Sequence, residues 1–278
     1  MVLFQAVKRA LLLLMCFLVC SMLTGTTSLT SSFEPQRSIP VFASAQAGFT
    51  IMTFNIHHGE GLDGKVNLEQ ISDLIRQQNA DVIALQEVDR YRLRSGFVDQ
   101  AKELAERLHM YVSFAPSLTY SVGQYGNALL SRYPIQGSTY FLLPGAQERR
   151  SLLLADILIG AQPIRIAATH LGLSNEDRRA QLSKIAEIVS TTEGPLVLAG
   201  DFNEVHTEVD PFWRPDSSVQ LSQIPFQSLL TSTFIDGKKI DYLFANIKNI
   251  DPAWTVQTIS SDHFPVMAFI PLRSWVRV

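Results

Sequence analysis

The feature that most constrains this chain is the run Pro195-Leu196-Val197-Leu198-Ala199, which is continuously apolar and stops at Gly200-Asp201-Phe202-Asn203. A short apolar run bounded by a turn suits a strand buried on both faces, as in layered α/β domains. Asp201 and Asn203 then stand at the strand's exit. Residues two apart point the same way where the chain stays extended, so one carboxylate and one carboxamide can face a common point from a rigid base. That pairing suits a water-activating base beside a donor to an oxyanion. The same four residues are also good turn chemistry, because Asp and Asn bond their own backbone. The rest of the chain has to decide between the two.

Elsewhere the arrangement recurs. Phe49 to Phe54 reads as a strand delivering Asn55-Ile56-His57-His58-Gly59. Asn67 is placed to cap a helix whose Leu68, Ile71, Leu74 and Ile75 share one face. Asp81 to Leu85 is a second buried strand, delivering Gln86-Glu87-Val88-Asp89-Arg90. A helix is expected from about Asp99 to His109, then a short strand from Tyr111 to Ala115. Gly126 to Arg132 follows a Gly/Tyr loop and precedes a proline. Leu152 to Ile159 and Ile164 to Ala168 read as a hairpin whose second strand delivers Thr169-His170-Leu171, and a helix follows from Asn175 to Ser190. The tail holds Ile240 to Phe244, a strand from Trp254 to Ile259, and Ser261-Asp262-His263-Phe264-Pro265 opening the last strand.

At the N-terminus, Lys8 and Arg9 precede Ala10 to Leu23, an uncharged run rich in Leu, Val, Met and Phe. These are the charged and apolar regions of an export signal. The run falls short of the ~20 apolar residues of a membrane-spanning helix. Residues 1–23 are therefore read as a signal peptide, or as an uncleaved anchor followed by a Ser/Thr-rich linker, 24–48, with the main domain at 49–278. Ala43-Ser44-Ala45 resembles a cleavage site but lies far from the apolar run. The expected location is outside the cytoplasm: secreted, periplasmic or membrane-anchored through the N-terminal segment. Both cysteines, Cys16 and Cys20, fall in the apolar run, so the domain has neither a disulfide nor a thiol nucleophile nor a Cys-ligated zinc.

The whole chain carries a formal net charge of −3, and its acidic excess lies beyond residue 45, because Lys8, Arg9 and Arg37 precede that point against Glu34 alone. Affinity for a duplex would call for a basic stripe, and none is visible, so nucleic acid is disfavoured as substrate.

Groups able to bind metal or move protons thus recur at strand ends: Asn55, Glu87, His170, Asp201, Asn203, Asp262 and His263. Strand ends of layered α/β folds converge on one rim. Any one of these residues can serve as a cap or turn, but seven at equivalent places argue for a site. Glu87, Asp262 and the Asn55 carbonyl are hard donors that suit magnesium, or manganese, better than zinc. Asp241 is placed to hold His263 through a carboxylate–imidazole bond that raises its pKa.

The ordered series Thr53-Phe54-Asn55, Leu85-Gln86-Glu87-Val88-Asp89, Gly126-Asn127-Ala128-Leu129-Leu130-Ser131-Arg132, Thr169-His170-Leu171, Gly200-Asp201-Phe202-Asn203, Ile240-Asp241-Tyr242 and Ser261-Asp262-His263 resembles the endonuclease/exonuclease/phosphatase superfamily. The resemblance implies the deoxyribonuclease I-like fold, a four-layer α/β/β/α sandwich of two mixed β-sheets. It implies magnesium-dependent phosphoester hydrolysis, with Glu87 as principal metal ligand and Asn55 and Asp262 near it. Asp201 and Asn203 become the water-orienting and phosphate-binding pair, His263 with Asp241 the catalytic dyad, and His170 a second phosphate-contacting histidine or general acid. Asn127 and Arg150 are supporting candidates on the substrate side.

One position departs from the repair-nuclease branch. There the first strand usually ends Asn-x-Asp, whereas here it ends Asn55-Ile56-His57, which leaves the number of metals open. His57-His58-Gly59 followed by Gly61 and Gly64 is more similar to exported members, including domains associated with glycosylphosphatidylinositol lipid processing. His57 and His58 are candidate substrate contacts, with loop packing as the other role for His58.

The expected activity is phosphodiester hydrolysis of a phospholipid head group or another small phosphoester, by a monomer. An extracellular nuclease is the alternative enzyme. A catalytically inactive surface-binding module is the alternative of another class. Phe212, Trp213 and Phe226, in the long stretch from Val205 to Lys239, are available either to line an apolar approach or to form a satellite core.

Overall fold

Strand pleating builds the layers, because successive side chains point to opposite faces. In β1 (Gly48–Asn55), Phe49 and Ile51 enter one core, while Met52 and Phe54 enter another. In β2 (Val82–Arg90), Val82 and Ala84 oppose Ile83 and Leu85 in the same way. The computed structural model describes residues 48–205, 221–228, 231–247 and 250–272. The N-terminal segment 1–23, the linker as far as residue 47, both cysteines, Phe212 and Trp213 lie outside the described residues.

The remaining strands are β3 (Tyr111–Thr119), β4 (Gln124–Ser131), β5 (Ile135–Leu143), β6 (Arg150–Ile159), β7 (Gln162–His170), β8 (Leu196–Asp201), β9 (Ser222–Gln223), β10 (Asp241–Ala245), β11 (Trp254–Thr255) and β12 (Val266–Pro271). They form two six-stranded sheets, ordered β11-β12-β1-β2-β4-β3 and β5-β6-β7-β8-β10-β9. Both are mixed. β1 and β2 pair in parallel in the first sheet, β7 and β8 in the second, and all other pairings are antiparallel.

Between the sheets lies a core of Phe49, Ile51, Val82, Leu129, Ile157, Ile166, Val197, Leu243 and Val266, with many alanines. Helices α1 (Leu68–Gln78) and α2 (Gln100–Leu108) cover the outer face of the first sheet through Ile71, Ile75 and Leu104. Helix α3 (Asn175–Ser190) covers the second through Leu182, Ile185 and Val189. The result is the α/β/β/α sandwich of the deoxyribonuclease I-like fold. The helix ends follow local chemistry. Asn67, Asp99 and Ser174 cap α1, α2 and α3 by accepting backbone N–H groups, and the first two helices end at Asn79 and His109 in left-handed conformation.

Three expectations differ from the fold. β3 runs on past Ala115 to Thr119, with Pro116 inside it, because it is the sheet's edge strand and Pro116 need not donate to a neighbour on that side. β11 is only Trp254–Thr255, not a strand to Ile259. β5 had no counterpart in the sequence reading: it is an edge strand whose residues are largely exposed, and its apolar run, Tyr140-Phe141-Leu142-Leu143, comes only at its end. Phe226 packs against the cores and Tyr242, with Lys239 Nζ 4.8 Å above its ring, which is the satellite-core role.

Candidate active site

Along β7 and β8 the inward-facing parity of the inter-sheet core continues one step beyond the last apolar residue, to His170 and Asp201, and along β1 it passes through the buried Thr53 to Asn55. On β10 it begins one step before Leu243, at Asp241. Because β10 is antiparallel to β8, Asp241 is the register partner of Asp201. All four polar residues are buried. The site is therefore the polar end of the seam between the sheets.

Glu87 arrives by a different device. Leu85 and Val88 enter the same helix-covered core although they are three apart, because a bulge between them absorbs one residue. Glu87, at φ 59, is in the left-handed region, and the bulge turns it away from the helices towards Asn55. His57 and His58, both at φ 44, occupy the same region just after β1. Three non-glycine residues so placed around one point are local strain, which collects at functional sites.

Asn55 Nδ2 bridges two carboxylates, donating to Asp201 Oδ2 at 3.0 Å and Glu87 Oε1 at 3.2 Å. Its oxygen accepts the His57 N–H at 3.0 Å. As placed, Asn55 therefore orients the two carboxylates with its amide nitrogen and gives its oxygen to the backbone. Asp201 Oδ1 accepts the Asn203 N–H at 2.8 Å, closing the turn after β8, and Asn203 adopts φ 51, a conformation asparagine tolerates. Phe202, between them, is buried against Tyr242 and Phe244 at ring distances of 5.8 and 5.1 Å, which pins the turn to the second sheet.

His263 Nδ1 lies 2.9 Å from Asp241 Oδ2, and its Nε2 lies 3.7 Å from Asp201 Oδ2. Burial opposes charge on this ring, but Asp241, Asp201 and Asp262 outweigh it and lift the pKa to about 10. Asp201 is pushed up to about 7, first by burial and then by Asp241, with His263 and the bonds from Asn55 and Asn203 pulling the other way. His170 goes in the opposite direction, well below its ordinary value, through burial, Arg150 and His263. Arg150 Nη1 is 3.1 Å from His170 Nδ1. Arginine can only donate, so Nδ1 accepts and the neutral ring carries its proton on Nε2, 3.4 Å from Asp201 Oδ2. Asn203 Nδ2 donates to the Leu171 carbonyl at 2.9 Å, and its 3.0 Å approach to the protonated Nε2 is a contact between two donors and not a hydrogen bond.

These groups floor a cleft of about 880 Å³ lined by Glu87, Arg150, His170, Asp201, Asn203, Asp262 and His263. Asn127 sits deeper, bridging the sheets by donating to the Ser151 carbonyl at 2.9 Å. Asp262 and His57 face each other at the mouth of the seam, Oδ1 to Nδ1 3.9 Å, and His58 is buried beside Glu60. Glu87 and Asp262 fit a divalent cation: both are partly exposed, and among the described residues neither is paired with a lysine or arginine.

Several residues of the site had escaped the sequence reading. Thr233 Oγ1 accepts the N–H groups of Ile240 and Asp241, fixing the start of β10, and the Phe234 ring packs on His263 at 4.8 Å. Neither belongs to a strand, and no local pattern signals them. Tyr125 is buried in the cleft wall, its hydroxyl held protonated by burial and then by Glu87. Its position directly before Gly126-Asn127 was the available clue.

Residues 52–263 match the model of the Endonuclease/Exonuclease/phosphatase family. The chain is 31% identical over 173 residues to an uncharacterised protein, YbhP, of Escherichia coli K12, covering 57% of this chain and 68% of that one. It is 34% identical over 155 residues to the protein cwh43 of Schizosaccharomyces pombe, covering 55% of this chain but 16% of that longer one. Among solved structures, an endonuclease/exonuclease/phosphatase from Beutenbergia cavernae superposes with a TM-score of 0.68 at 25% identity, covering 82% of this chain and 72% of that one. With the ordered strand-end residues meeting at one cleft of the matching fold, the chain belongs to the endonuclease/exonuclease/phosphatase family of phosphoester hydrolases.

Proposed function

We propose that this chain is a magnesium-dependent phosphodiesterase acting outside the cytoplasm on a phospholipid head group or a small phosphoester of the same chemistry. The observation that carries this reading is the two-part cleft. Its floor is ionisable and buried, whereas Tyr120, Leu173 and Val205 on its walls are 41%, 69% and 46% exposed. A phosphate suits the floor, and an apolar or glycerol-like remainder suits the walls. The cleft's other cations are largely committed: Arg94 pairs with Asp89, Arg178 with Glu204 and Lys238 with Asp236. Among the described residues lining the cleft, that leaves no run of free cations to follow a duplex.

Divergent pKa values assign the roles. Asp201, poised near neutrality, accepts the proton of a water as its oxygen attacks phosphorus and the bond to the leaving oxygen breaks, and the departing alkoxide takes up a proton from solvent. His263, kept cationic by Asp241, presents Nε2–H to the charge that develops on the phosphoryl oxygens. Neutral His170 and the Asn203 amide supply further donors, and Arg150 holds the His170 tautomer. A divalent cation held by Glu87 and Asp262 would polarise a phosphoryl oxygen and offset its charge.

The test is hydrolysis by the domain, with and without magnesium, of sphingomyelin, phosphatidylinositol, glycerophosphodiesters, inositol phosphates and plasmid DNA, beside Asp201→Ala. Metal-dependent release from one lipid or small ester, absent in the variant, is expected. DNA cleavage would replace this reading with a nuclease. A folded protein that turns over none of them with any metal would leave a binding module.

A further inference from the structure

The loop after β1 holds two histidines that the magnesium reading does not use, beside the Glu87 carboxylate that it does. His57, His58 and Glu87 each bring one potential ligand atom to within 4.8 Å of the others. The His57 and His58 rings meet edge to face at 4.6 Å. His58 is 7% exposed, and its Nε2 lies 3.3 Å from Glu60 Oε2. An ionised carboxylate only accepts, so the neutral ring's proton is on Nε2 and Nδ1 carries a bare lone pair. That Nδ1 is buried and has no hydrogen-bond partner among the described residues. A carboxylate on one ring nitrogen and a bare lone pair on the other is the arrangement that orients an imidazole towards a metal.

The loop is also built to stay in place. The His58 carbonyl accepts from the buried Gln100 Nε2 at 2.7 Å, and Gln100 Oε1 accepts the Asp89 N–H at 2.9 Å. His57 N–H is tied to Asn55 Oδ1, Gly59 N–H to the Ile56 carbonyl at 2.7 Å, and Glu60 N–H to the His57 carbonyl at 2.8 Å. Arg94, the arginine whose charge acts on His58, is held in a two-point pair by the buried Asp89 at 2.7 and 2.9 Å. Its charge is thereby largely offset where a metal would bind.

We infer that His57, His58 and Glu87 form a mixed imidazole–carboxylate site for a borderline transition-metal ion, with Glu60 as the outer residue that orients His58. The inference rests on the proposed cation at Glu87 and Asp262 and adds a second position beside it, with the Glu87 carboxylate shared. Imidazole suits zinc and cobalt, whereas magnesium and manganese prefer oxygen and water. The two positions should therefore be separable by ion type.

Cobalt(II) is the probe, because its visible absorption changes when imidazole nitrogen enters the coordination sphere. Metal-stripped full chain, held in excess magnesium, is titrated with cobalt chloride and followed by absorption and calorimetry. One equivalent is expected to bind with an imidazole-type spectrum that magnesium does not displace. His58→Gln should abolish this signal. Glu60→Gln, at a half-exposed position that leaves the fold undisturbed, should weaken cobalt binding 10- to 100-fold. A cobalt signal displaced by magnesium, or unchanged in a folded His58→Gln or Glu60→Gln protein, would overturn the site. The readout requires no turnover, so failure of every substrate in the hydrolysis panel leaves this result standing, and the reverse also holds.

Discussion

Asp201 and Asp241 are directly opposed on neighbouring antiparallel strands, both buried, and the His263 ring reaches the two of them. Like charges across a strand pair repel, so one cation between them is what makes the arrangement tenable. His263 leans closer to Asp241, which leaves Asp201 as the carboxylate free to exchange a proton.

Replacing Asp201 by Asn should lower kcat by about 10²- to 10⁴-fold while keeping the turn. Stability moves the other way. Because the folded pKa of Asp201 is raised, the folded state holds a proton that the unfolded chain has released, and stability falls as pH rises from about 4 to about 7. Above pH 7 Asp201→Asn should therefore melt at a higher temperature than wild type. A lower melting temperature at pH 8 would contradict the buried-charge account.

The His263 ring should titrate near pH 10 in the metal-free protein, far above a free histidine, when its ring protons are followed by NMR. Stability from this pair is fully present below the ordinary histidine value and is lost as pH rises through about 10. Asp241→Asn removes the nearest carboxylate, so the titration should drop substantially. An unchanged midpoint would mean that Asp241 does not control the charge.

Phe202→Ala empties a site enclosed by Tyr242 and Phe244. The expected loss is about 3–5 kcal/mol in chemical denaturation, a large part of the ~5–15 kcal/mol typical of a domain. The surviving folded fraction should also show reduced kcat, since Phe202 anchors the turn between Asp201 and Asn203.

Gly200→Ala would place a Cβ 2.2 Å from the Thr169 carbonyl oxygen, across the parallel pairing that aligns His170 with Asp201. The strands must part, at a cost of about 1–3 kcal/mol. A shift of the order of 1 Å between reacting groups costs roughly 10²-fold in rate, so kcat should fall more than KM rises. Wild-type kinetics in this variant would show that the strand spacing is not what sets the site.

The site was legible wherever a buried strand ended in a polar residue, because parity along the strand fixes which way that residue faces. Asn55, His170 and Asp201 are of this kind, and the structure brings them together with Asp241, which stands at the start of its strand, at the floor of one cleft. Helix α3 was legible at its observed bounds, Asn175–Ser190, from the apolar spacing of its second half, and the Ser174 cap came only with the structure. Glu87 was identified, but not how it gets there: nothing in Gln86-Glu87-Val88 announces a bulge, and no glycine marks the left-handed turn. Thr233 and Phe234 were hidden for another reason. Thr233 acts across a turn on Ile240 and Asp241, and Phe234 on His263 far along the chain, through contacts that only the folded chain creates.

The alanines between the sheets, among them Ala84, Ala155, Ala168, Ala199 and Ala268, have a bearing on the chemistry they never touch. In the proposed mechanism the groups that would hold the cation ride on one sheet and the proton-accepting Asp201 on the other, so the gap across which a phosphate would be gripped is a thickness that these methyl groups help to set. Enlarging one of them would act like a shim under one jaw of a vice. Substrate choice in this protein can thus drift by changes in its driest layer, with every residue of the cleft left as it is.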